Sequence, residues 1–439
     1  MRIAVIGLGY VGLVTAASLS DTGHHVIGYD ADTEKLESLW NAEIPFFEPG
    51  LAQLVAKNVD RETLSFSSTL DTAIQDREII FIAVGTPPGS DGSADLTNIY
   101  QVIDSLGQLL DRAVTIVIKS TVPVGTNQAI DHTLNSLLKS RGLQLSCDIV
   151  SNPEFLREGN ALYDVAHPDR IVIGARSRRA FDTMRELYSP SQFTCPVLEM
   201  EPASAELSKY AANAFLASRI SFVNELSRLA DAVGADIEQI SIALGTDDRI
   251  GPHFLRAGLG YGGSCFPKDI LSLQHMYREQ GIDSALTNSI QQVNSEQRNF
   301  FATKAIRHFG DAIDGSTIAL WGLTFKPDTD DMREAPSLEL AQLLLKAGAA
   351  LRLYDPVLNA AIRERFPDDS QLEFADDMYE AARGADAVVL VTEWIEFAEP
   401  DFSKLRGLMR TPVLFDGRNL WDPAVARSEG FTYYGVGRP

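Results

Sequence analysis

Cysteine is scarce in this sequence: Cys147, Cys195 and Cys265 are scattered among 439 residues. An odd number of cysteines at irregular spacing argues against a disulfide framework and is typical of a reducing compartment. No cluster of cysteine and histidine has metal-ligand spacing, so we do not expect a bound metal.

Long apolar runs and an excess of basic residues are also lacking. No hydrophobic stretch reaches the length of a membrane span, and the N-terminus lacks the charged head and cleavage site of a signal peptide. We therefore expect a cytoplasmic protein. The 38 Lys and Arg against 60 Asp and Glu give a net charge of -22, which argues against nucleic acid or an anionic membrane as a partner.

The hydrophobic pattern that is present predicts an α/β fold. Apolar runs such as "RIAVIG", "EIIFIAVGT" and "RIVIGA" alternate with helical segments, which is typical of a doubly wound parallel sheet covered on both faces. Helix formers dominate after Pro202, and strand-helix alternation returns after Gly315. We predict two Rossmann-like domains, residues 1–201 and 313–439, joined by a central α-helical domain with a long helix, residues 202–312.

The stretch "GLGYVG" predicts a dinucleotide site. Gly7, Gly9 and Gly12 form G-x-G-x-x-G after a strand and before a helix, which suits a tight turn against a pyrophosphate. The next strand ends at Asp30, where a carboxylate binds the adenosine ribose and repels a 2′-phosphate, so NAD is favoured over NADP. Lys35, one turn on, can contact the ribose and weakens that preference. The alternative is a glycine turn that binds nothing.

Two further strand ends carry threonines. Ligands of open α/β sheets lie beyond the carboxyl ends of the strands. Thr86 in "AVGTPP" and Thr121 in "KSTVPVG" are therefore expected to face the same ligand.

One cysteine has unusual neighbours. Cys265 lies in "GYGGSCFPKD", among glycines and before a predicted helix, whereas Cys147 and Cys195 border apolar strands as ordinary core cysteines do. A thiol at a helix N-terminus beside basic residues is more readily ionised. The sequence thus indicates a nucleophile at Cys265, with backbone amides nearby to hold an oxyanion. With NAD, such a thiol suits oxidation of an alcohol to an acid through a thioester.

Polar side chains repeat along the long predicted helix. Glu206, Lys209 and Asn213 are three and four residues apart and so share one face. The ordinary alternative is a surface face with ion pairs, but the flanking "YAANAFLA" predicts burial. Glu154 and Glu158 in "NPEFLREG" are one turn apart after a strand end, and are otherwise plain helix-start acids.

The motifs together resemble one family. "GLGYVG", "VGTPP", "STVPVG", "NPEFLREG", "KYAANAFLASRISFVNE", "GTDDRIG", "GYGGSCFPKD" and "GLTFKPDTDDMREAPS" occur in the order found in the UDP-glucose 6-dehydrogenases. The resemblance spans nearly the whole chain and implies a four-electron oxidation of UDP-glucose to UDP-glucuronate with two NAD⁺. The related GDP-mannose dehydrogenases share the fingerprint and the cysteine block, so another nucleotide sugar stays an alternative.

The resemblance also implies residue roles. Cys265 would form the thioester, Lys209 and Asn213 would hold oxyanions, Asp269 would assist proton transfer or orient water, and Thr121 with Glu154 would position the hydrolytic water. The implied cofactor-facing residues are Gly7, Gly9, Tyr10, Val11, Gly12, Asp30, Lys35, Thr86, Thr121, Glu158, Lys268 and Arg333. The implied substrate-facing residues are Glu154, Phe155, Leu156, Lys209, Asn213, Arg249, Phe254, Tyr261, Gly262, Phe325 and Lys326.

The last domain lacks the full glycine fingerprint. Its first strand runs into "GLTFKP", so we expect no second dinucleotide, and Lys326 and Arg333 are candidate cations for a pyrophosphate. Arg249 matches a family arginine that reaches the substrate of a neighbouring subunit, which implies at least a homodimer through the central helices. Arg249 can equally be a plain loop charge.

Two other function classes stay open on the sequence. One is a two-electron hydroxyacid-type dehydrogenase, which shares the fold without the thiol. The other is a regulator that binds NAD and a sugar nucleotide without turnover. The polar set at Lys209, Asn213, Cys265 and Asp269 favours the enzyme over the regulator.

Overall fold

The computed structural model describes residues 1–189 and 194–439. The chain divides into two compact units, Met1–Ala212 and Asn213–Pro439. The division falls within a long helix, Pro202–Val233. This helix confirms the predicted one, with proline at its first turn and Gly234, at φ +74°, directly after its last residue.

The N-terminal unit is built around a sheet that begins with the first strand of the chain. Its elements are β1 Arg2–Ile6, α1 Tyr10–Asp21, β2 His25–Tyr29, α2 Thr33–Trp40, α3 Leu51–Asp60, β3 Leu64–Ser67, α4 Leu70–Ile74, β4 Ile79–Ile82, α5 Thr97–Leu109, β5 Thr115–Ile118, α6 Thr126–Ser140, β6 Asp148–Ser151, α7 Ala161–Ala166, β7 Ile171–Gly174, α8 Arg178–Leu187, β8 Val197–Met200 and the start of α9 Pro202–Val233.

The strand order of this sheet is β3-β2-β1-β4-β5-β6-β7-β8. Strands β1 to β6 pair in parallel, as expected for a doubly wound sheet. The pairing of β6 with β7 is antiparallel, whereas β7 and β8 pair in parallel. The last two strands therefore run opposite to the first six, a reversal that the apolar pattern of the strands does not reveal.

The C-terminal unit carries the rest of α9, more helix and a second sheet. Its further elements are α10 Ile237–Gly245, α11 Phe266–Glu279, α12 Ala285–Phe309, β9 Thr317–Trp321, α13 Pro336–Lys346, β10 Ala350–Tyr354, α14 Ala360–Arg363, β11 Leu372–Phe374, α15 Met378–Ala382, β12 Ala387–Leu390, α16 Phe402–Leu408, β13 Val413–Asp416, α17 Pro423–Ser428 and β14 Thr432–Tyr434. The strand order is β11-β10-β9-β12-β13-β14, all in parallel pairs.

Alternate residues of the central strands enter different cores. In β1, Ile3 and Val5 belong to one hydrophobic cluster and Ala4 and Ile6 to another. Since successive side chains of a strand point to opposite faces, both faces of the sheet are covered. This explains why the strands read as continuous apolar runs.

The central helices contribute to the core of the C-terminal sheet. Ile318 and Leu320 of β9 share a hydrophobic cluster with Val223 of α9 and Phe301 of α12. The opposite face of β9 places Trp321 in a separate cluster. These shared contacts explain why the helices from Asn213 onward group with the second sheet.

Candidate active site

The glycine turn between β1 and α1 has the geometry that its spacing predicts. Gly7 has φ +90°, and a Cβ on Gly12 would lie 1.8 Å from the carbonyl oxygen of Gly7. A Cβ on Gly9 would meet nothing within 4 Å, so the outer side of the turn is open. None of the side chains that the structure describes caps the first turn of α1. Its backbone N–H groups can therefore bind a pyrophosphate, and the turn fits a dinucleotide.

Asp30 lies just beyond the end of β2, beside this turn. Its carboxylate accepts hydrogen bonds from the backbone N–H of Leu8 (2.7 Å) and of Asp32 (3.0 Å), and pairs with the ammonium of Lys35 at 2.9 Å. Burial disfavours its charge, but these donors outweigh burial and hold the pKa of Asp30 below its ordinary value. Asp30 is thus ionised at neutral pH, as binding to ribose hydroxyls requires.

The two predicted threonines lie together. The hydroxyl of Thr86 donates to the carbonyl oxygen of Thr121 at 2.9 Å. Thr86 is buried and Thr121 is partly exposed. The bond joins the segments that follow β4 and β5, at the carboxyl edge of the sheet.

Glu154 and Lys209 form a buried ion pair. Their oxygen and nitrogen are 2.9 Å apart, and the side chains are 7% and 3% exposed. The second oxygen of Glu154 accepts from the backbone N–H of Leu156 at 2.6 Å. Burial favours the neutral carboxyl, but Lys209, Leu156 and the nearby Lys119 together hold the pKa of Glu154 below its ordinary value. The site therefore contains a carboxylate and an ammonium shielded from water.

Phe155 lies next to this pair. Its ring has the guanidinium of Arg170 3.8 Å from the centroid and the ammonium of Lys209 at 5.4 Å. The side chain of Glu158, further along the same loop, is partly exposed. The predicted residues Glu154, Phe155, Leu156 and Lys209 are thus brought together within the N-terminal unit.

Glu206 does not join them, although it shares a stretch of helix with Lys209. Its oxygens accept from the backbone N–H groups of Gly125 (2.7 Å) and Asn127 (2.8 Å) at the start of α6. Burial raises the pKa of Glu206 above its ordinary value. Glu206 thus serves as a cap for the N-terminus of another helix.

Sequence reasoning missed Glu48. Its carboxylate accepts the hydroxyl of Tyr10 and the backbone N–H groups of Gly159 (2.6 Å) and Ala161 (2.8 Å). It therefore ties the fingerprint helix to the loop that carries Glu154. The only feature of the sequence that points to Glu48 is its position as the single acid in "FFEPGL", a stretch with the Pro and Gly of a turn. Tyr10, predicted to face the cofactor, directs its hydroxyl to Glu48, and burial together with Glu48 raises the pKa of that phenol.

Within the C-terminal unit, Cys265 occupies the N-cap position of α11 without a side-chain capping hydrogen bond, and it is partly exposed. Its sulfur lies 3.4 Å from the hydroxyl oxygen of Ser264. Burial raises the pKa of the other two thiols, Cys147 and Cys195. A thiol at the first turn of a helix is where an ionised sulfur is stabilised.

A buried amide-carboxylate pair lies on the adjoining elements. Asn213 of α9 donates to Asp269 of α11 at 2.6 Å, and both side chains are buried. The ammonium of Lys268 lies 3.4 Å from the other oxygen of Asp269. Asp269 is in the first turn of the helix whose N-cap position Cys265 occupies. The predicted residues Asn213, Cys265 and Asp269 are thus grouped by α9 and α11.

The glycine-rich loop before Cys265 is held by side chains of two helices. Asn294 of α12 accepts from the N–H of Tyr261 (2.8 Å) and donates to its carbonyl oxygen (3.0 Å). Asn224 of α9 accepts from the N–H of Gly258 (2.8 Å), and Gln297 of α12 donates to the carbonyl oxygen of Gly258 (3.0 Å). The α12 residues read as ordinary polar helix positions.

The same loop packs against residues 322–335 of the same unit. A Cβ on Gly262 would lie 2.2 Å from the carbonyl oxygen of Glu334, and one on Gly263 would lie 2.7 Å from the ring of Phe325. Tyr261 packs edge-on against Phe266, with ring centroids 5.7 Å apart. Only glycine fits at these two positions, which explains the glycines of "GYGGSC".

The remaining predicted residues are placed as follows. Phe254, at φ +60°, lies 6.2 Å from the ring of Phe266. Lys326 extends over the ring of Phe325 at 5.6 Å, and Arg333 pairs with Asp331 at 2.8 Å. The side chain of Arg249 is 89% exposed and pairs with Asp247 at 2.6 Å.

Among residues 1–189 and 194–439, no group of three or more His, Cys, Asp or Glu side chains is arranged to hold a metal ion. In the same residues, no helix has the length and apolar character needed to cross a membrane.

Comparison with known proteins covers the chain from end to end. Models described as the NAD binding, central and UDP binding domains of the UDP-glucose/GDP-mannose dehydrogenase family match residues 1–192, 203–296 and 319–423. A UDP-glucose 6-dehydrogenase of Pseudomonas aeruginosa is 46% identical, over 100% of this chain and 98% of its own.

Solved structures of UDP-sugar dehydrogenases have a similar fold. A UDP-glucose dehydrogenase from the hyperthermophilic archaeon Pyrobaculum islandicum superposes with a TM-score of 0.91 at 35% identity, covering 100% of this chain and 98% of that one. A UDP-D-ManNAc dehydrogenase from Pyrococcus horikoshii gives a TM-score of 0.87 at 27% identity, covering 100% and 99%.

Proposed function

Since the chain belongs to the UDP-glucose/GDP-mannose dehydrogenase family, an NAD-dependent dehydrogenase family, we propose that it oxidises UDP-glucose to UDP-glucuronate through a thioester on Cys265. The observation that carries the proposal is the place of Cys265 at the N-cap position of α11, with the buried Asn213–Asp269 pair on the adjoining helices. The names of the relatives support the choice of UDP-glucose.

The proposed reaction has two oxidations and one hydrolysis. NAD⁺ held at the glycine turn and Asp30 would supply the hydride acceptor for both oxidations, so two NAD⁺ would be reduced per sugar. The primary alcohol first loses a hydride and a proton to become an aldehyde. The Cys265 thiol then adds to the aldehyde carbon while its proton passes to the aldehyde oxygen. The resulting thiohemiacetal loses a second hydride from carbon and the proton of its hydroxyl to become a thioester. Water cleaves the carbon–sulfur bond, which releases the carboxylic acid and regenerates the thiol.

The charged side chains have the chemistry that these steps require. The ammonium of Lys209 and the amide of Asn213 would hold the oxygen that becomes negative as the sulfur adds. Asp269 would take up or return protons at the sugar oxygen. Glu154, ionised by its partners, would accept a hydrogen bond from the hydrolytic water, with the Thr121 hydroxyl as a second contact.

We propose three domains, residues 1–201, 202–312 and 313–439, and assign the ligand contacts to them. The sugar nucleotide would contact Phe155, Leu156, Phe254, Tyr261, Gly262, Phe325 and Lys326. The dinucleotide would contact Gly7, Gly9, Tyr10, Val11, Gly12, Asp30, Lys35, Thr86, Thr121, Glu158, Lys268 and Arg333. The open glycine turn and the ionised Asp30 support the second set.

A homodimer is part of the proposal. Phe215, Phe222 and Leu229 recur every seven residues along α9 and are 65%, 53% and 58% exposed. Phe215 and Phe222, together with Arg249, line part of a groove of about 410 Å³. A repeated apolar stripe on one helix suits packing against a second copy. Arg249, which is exposed in a single chain, would then reach the partner's substrate.

A substrate panel tests the proposal. The purified protein is incubated with NAD⁺ and UDP-glucose, GDP-mannose, UDP-galactose or a UDP-N-acetylhexosamine, and NADH is measured per mole of sugar nucleotide. We expect two NADH per UDP-glucose and less turnover of the others. One NADH per substrate would indicate a two-electron dehydrogenase, preference for another nucleotide sugar would replace UDP-glucose, and no NADH with any of them would indicate a regulator.

A further inference from the structure

Arg298 is a buried arginine of α12 to which the proposed reaction gives no role. It is 7% exposed. One terminal nitrogen, Nη2, donates to the carbonyl oxygen of Tyr261 at 2.9 Å and to that of Glu334 at 3.2 Å. The other, Nη1, pairs with the carboxylate of Glu339 in α13 at 3.0 Å. One guanidinium therefore joins the glycine-rich loop before Cys265 to the loop between β9 and α13.

The two loops also contact each other through their backbones. The N–H of Gly263 donates to the carbonyl oxygen of Arg333 at 2.8 Å. A Cβ on Gly262 would lie 2.2 Å from the carbonyl oxygen of Glu334, which is the oxygen that Arg298 binds. The guanidinium thus acts at the point where the loops are closest, and a side chain at Gly262 would push them apart.

Glu334 has a backbone conformation that needs support. Its φ is +51°, in the left-handed region that residues other than glycine seldom adopt. Such conformations persist where the surrounding structure fixes them, and they are common at ligand sites. The hydrogen bond from Arg298 and the close packing of Gly262 supply support of this kind.

Both loops carry residues that the proposed function places against the sugar nucleotide. Tyr261 and Gly262 lie in the first loop, and Phe325 and Lys326 lie in the second, which is part of the stretch matched as a UDP binding domain. A shift of one loop relative to the other would change the spacing between these two sets of contacts. Whatever fixes the loops against each other therefore also sets the shape of the nucleotide site.

We propose that Arg298 is a positioning residue for the sugar nucleotide: by binding both loops at once, it fixes the spacing between Tyr261 and Phe325. The ligand in this statement rests on the proposed function, whereas the coupling of the two loops does not. A positive charge alone is not sufficient, because a guanidinium presents its donors in a rigid planar fork and a lysine ammonium is a point charge on a flexible stem. The simpler alternative is that Arg298 contributes only to the stability of the fold.

Four substitutions separate these alternatives. Arg298→Met removes the link between the loops, Arg298→Lys keeps the charge without the fork, and Glu339→Gln weakens the hold on the guanidinium. Arg307→Met is the matched control, because Arg307 is an exposed arginine of the same helix. Thermal unfolding shows which variants are folded. Glu339 is the more exposed partner, at 32%, so Glu339→Gln is the milder change if Arg298→Met does not fold.

The decisive measurement is hydrogen exchange of the protein without ligand, followed by mass spectrometry over residues 258–263 and 322–335. We expect Arg298→Met and Arg298→Lys to speed exchange in both segments by about tenfold or more, because each loses a charged hydrogen bond. Glu339→Gln should act in the same direction with a smaller effect, and Arg307→Met should change nothing. Faster exchange in one segment only, or in neither, would overturn the proposal.

Asn294 provides a second comparison on the same helix. It binds the N–H and the carbonyl oxygen of Tyr261 and so holds the first loop alone. Asn294→Ala should therefore speed exchange in residues 258–263 more than in residues 322–335. An effect on both segments as large as that of Arg298→Met would show that holding one loop is sufficient, and would contradict a special role for Arg298.

Nucleotide binding supplies the last readout. The Kd of UDP, measured by calorimetry, should rise by about tenfold in Arg298→Met and Arg298→Lys, and KM for UDP-glucose should rise by more than kcat falls. A lowered Tm with unchanged exchange and unchanged UDP affinity would assign Arg298 to stability alone. If the wild type oxidises no sugar nucleotide, the proposed function fails, while hydrogen exchange still decides whether Arg298 couples the loops.

Discussion

The two parallel sheets differ in the turn that follows their first strand. In the N-terminal unit, residues 7–9 join β1 to α1, and the helix begins at once. In the C-terminal unit, residues 322–335 separate β9 from α13. A helix N-terminus directly after the strand presents its N–H groups to a pyrophosphate, whereas a long loop instead presents side chains such as Phe325 and Lys326.

The acid after the second strand sharpens the contrast. Asp30 accepts the N–H of Leu8, and Asp355 accepts the N–H of Leu323 (2.6 Å), so both occupy the same place in their sheets. Asp355, however, is 1% exposed and also accepts the indole N–H of Trp394 at 3.2 Å. Burial raises its pKa, whereas the pKa of Asp30 is lowered. Asp30 can therefore accept hydrogen bonds from ribose hydroxyls, whereas the carboxylate of Asp355 is already hydrogen-bonded inside the protein.

The largest expected effect separates cofactor binding at the glycine turn from the chemistry of the Cys265 thiol. Cys265→Ser should lower the rate of acid formation by on the order of 10⁴-fold or more, because a catalytic nucleophile is lost. Affinity for NAD, which depends on the N-terminal sheet, should stay within about twofold. Turnover is followed by NADH absorbance and affinity by calorimetry. Near-normal acid formation would remove the thioester from the mechanism.

A matched pair of glycine substitutions tests the two turns. Gly12→Ala places a methyl group against the carbonyl oxygen of Gly7 and should weaken NAD binding by roughly 10- to 100-fold, since overpacking costs about 1–3 kcal/mol. Gly322→Ala, at φ +87° with its new Cβ 2.6 Å from the backbone of Thr392, should mainly lower the Tm and weaken NAD binding far less than Gly12→Ala does. Equal loss of NAD affinity in both variants would contradict the comparison.

The paired acids give a smaller effect. Asp30→Ala should weaken NAD binding by about tenfold and raise the affinity for NADP relative to NAD, because a charged acceptor near the ribose is lost. Asp355→Ala should leave NAD affinity intact and lower the free energy of unfolding by roughly 1–3 kcal/mol, because buried donors lose their acceptor. Titration calorimetry measures the nucleotide affinities, and urea unfolding measures the free energy of unfolding. A loss of NAD affinity in Asp355→Ala as large as that in Asp30→Ala would contradict the contrast between the two acids.

The smallest effect lies in the pH dependence of stability. The lowered pKa of Asp30 stabilises the fold above the carboxyl pKa of the unfolded chain, and this contribution is lost as pH falls through the folded pKa. The raised pKa of Asp355 acts in the opposite direction, because the folded chain binds that proton first. The quantity to compare is the unfolding free energy of the wild type minus that of the variant. As the pH falls, this difference should decrease for Asp30→Asn and increase for Asp355→Asn. Parallel trends, measured by urea unfolding from pH 7 to about 3, would disprove the assignment.

The sequence alone determined the features that depend on local backbone geometry. Gly7 and Gly12 are required by one tight turn, the alternation of apolar runs indicated the two sheets, and the residues after Cys265 predicted the start of a helix. These signals are short-range, because a turn or a helix N-terminus is specified by residues within a few positions of one another.

Only the tertiary structure decided which buried charges meet. Glu206 and Lys209 share one stretch of helix, yet one caps α6 and the other pairs with Glu154. The partners of Glu48 and Arg298 lie far away in the sequence. A buried charge binds whatever opposite charge or hydrogen-bond donor the packed elements bring within about 3 Å, and spacing along the chain carries no record of that choice.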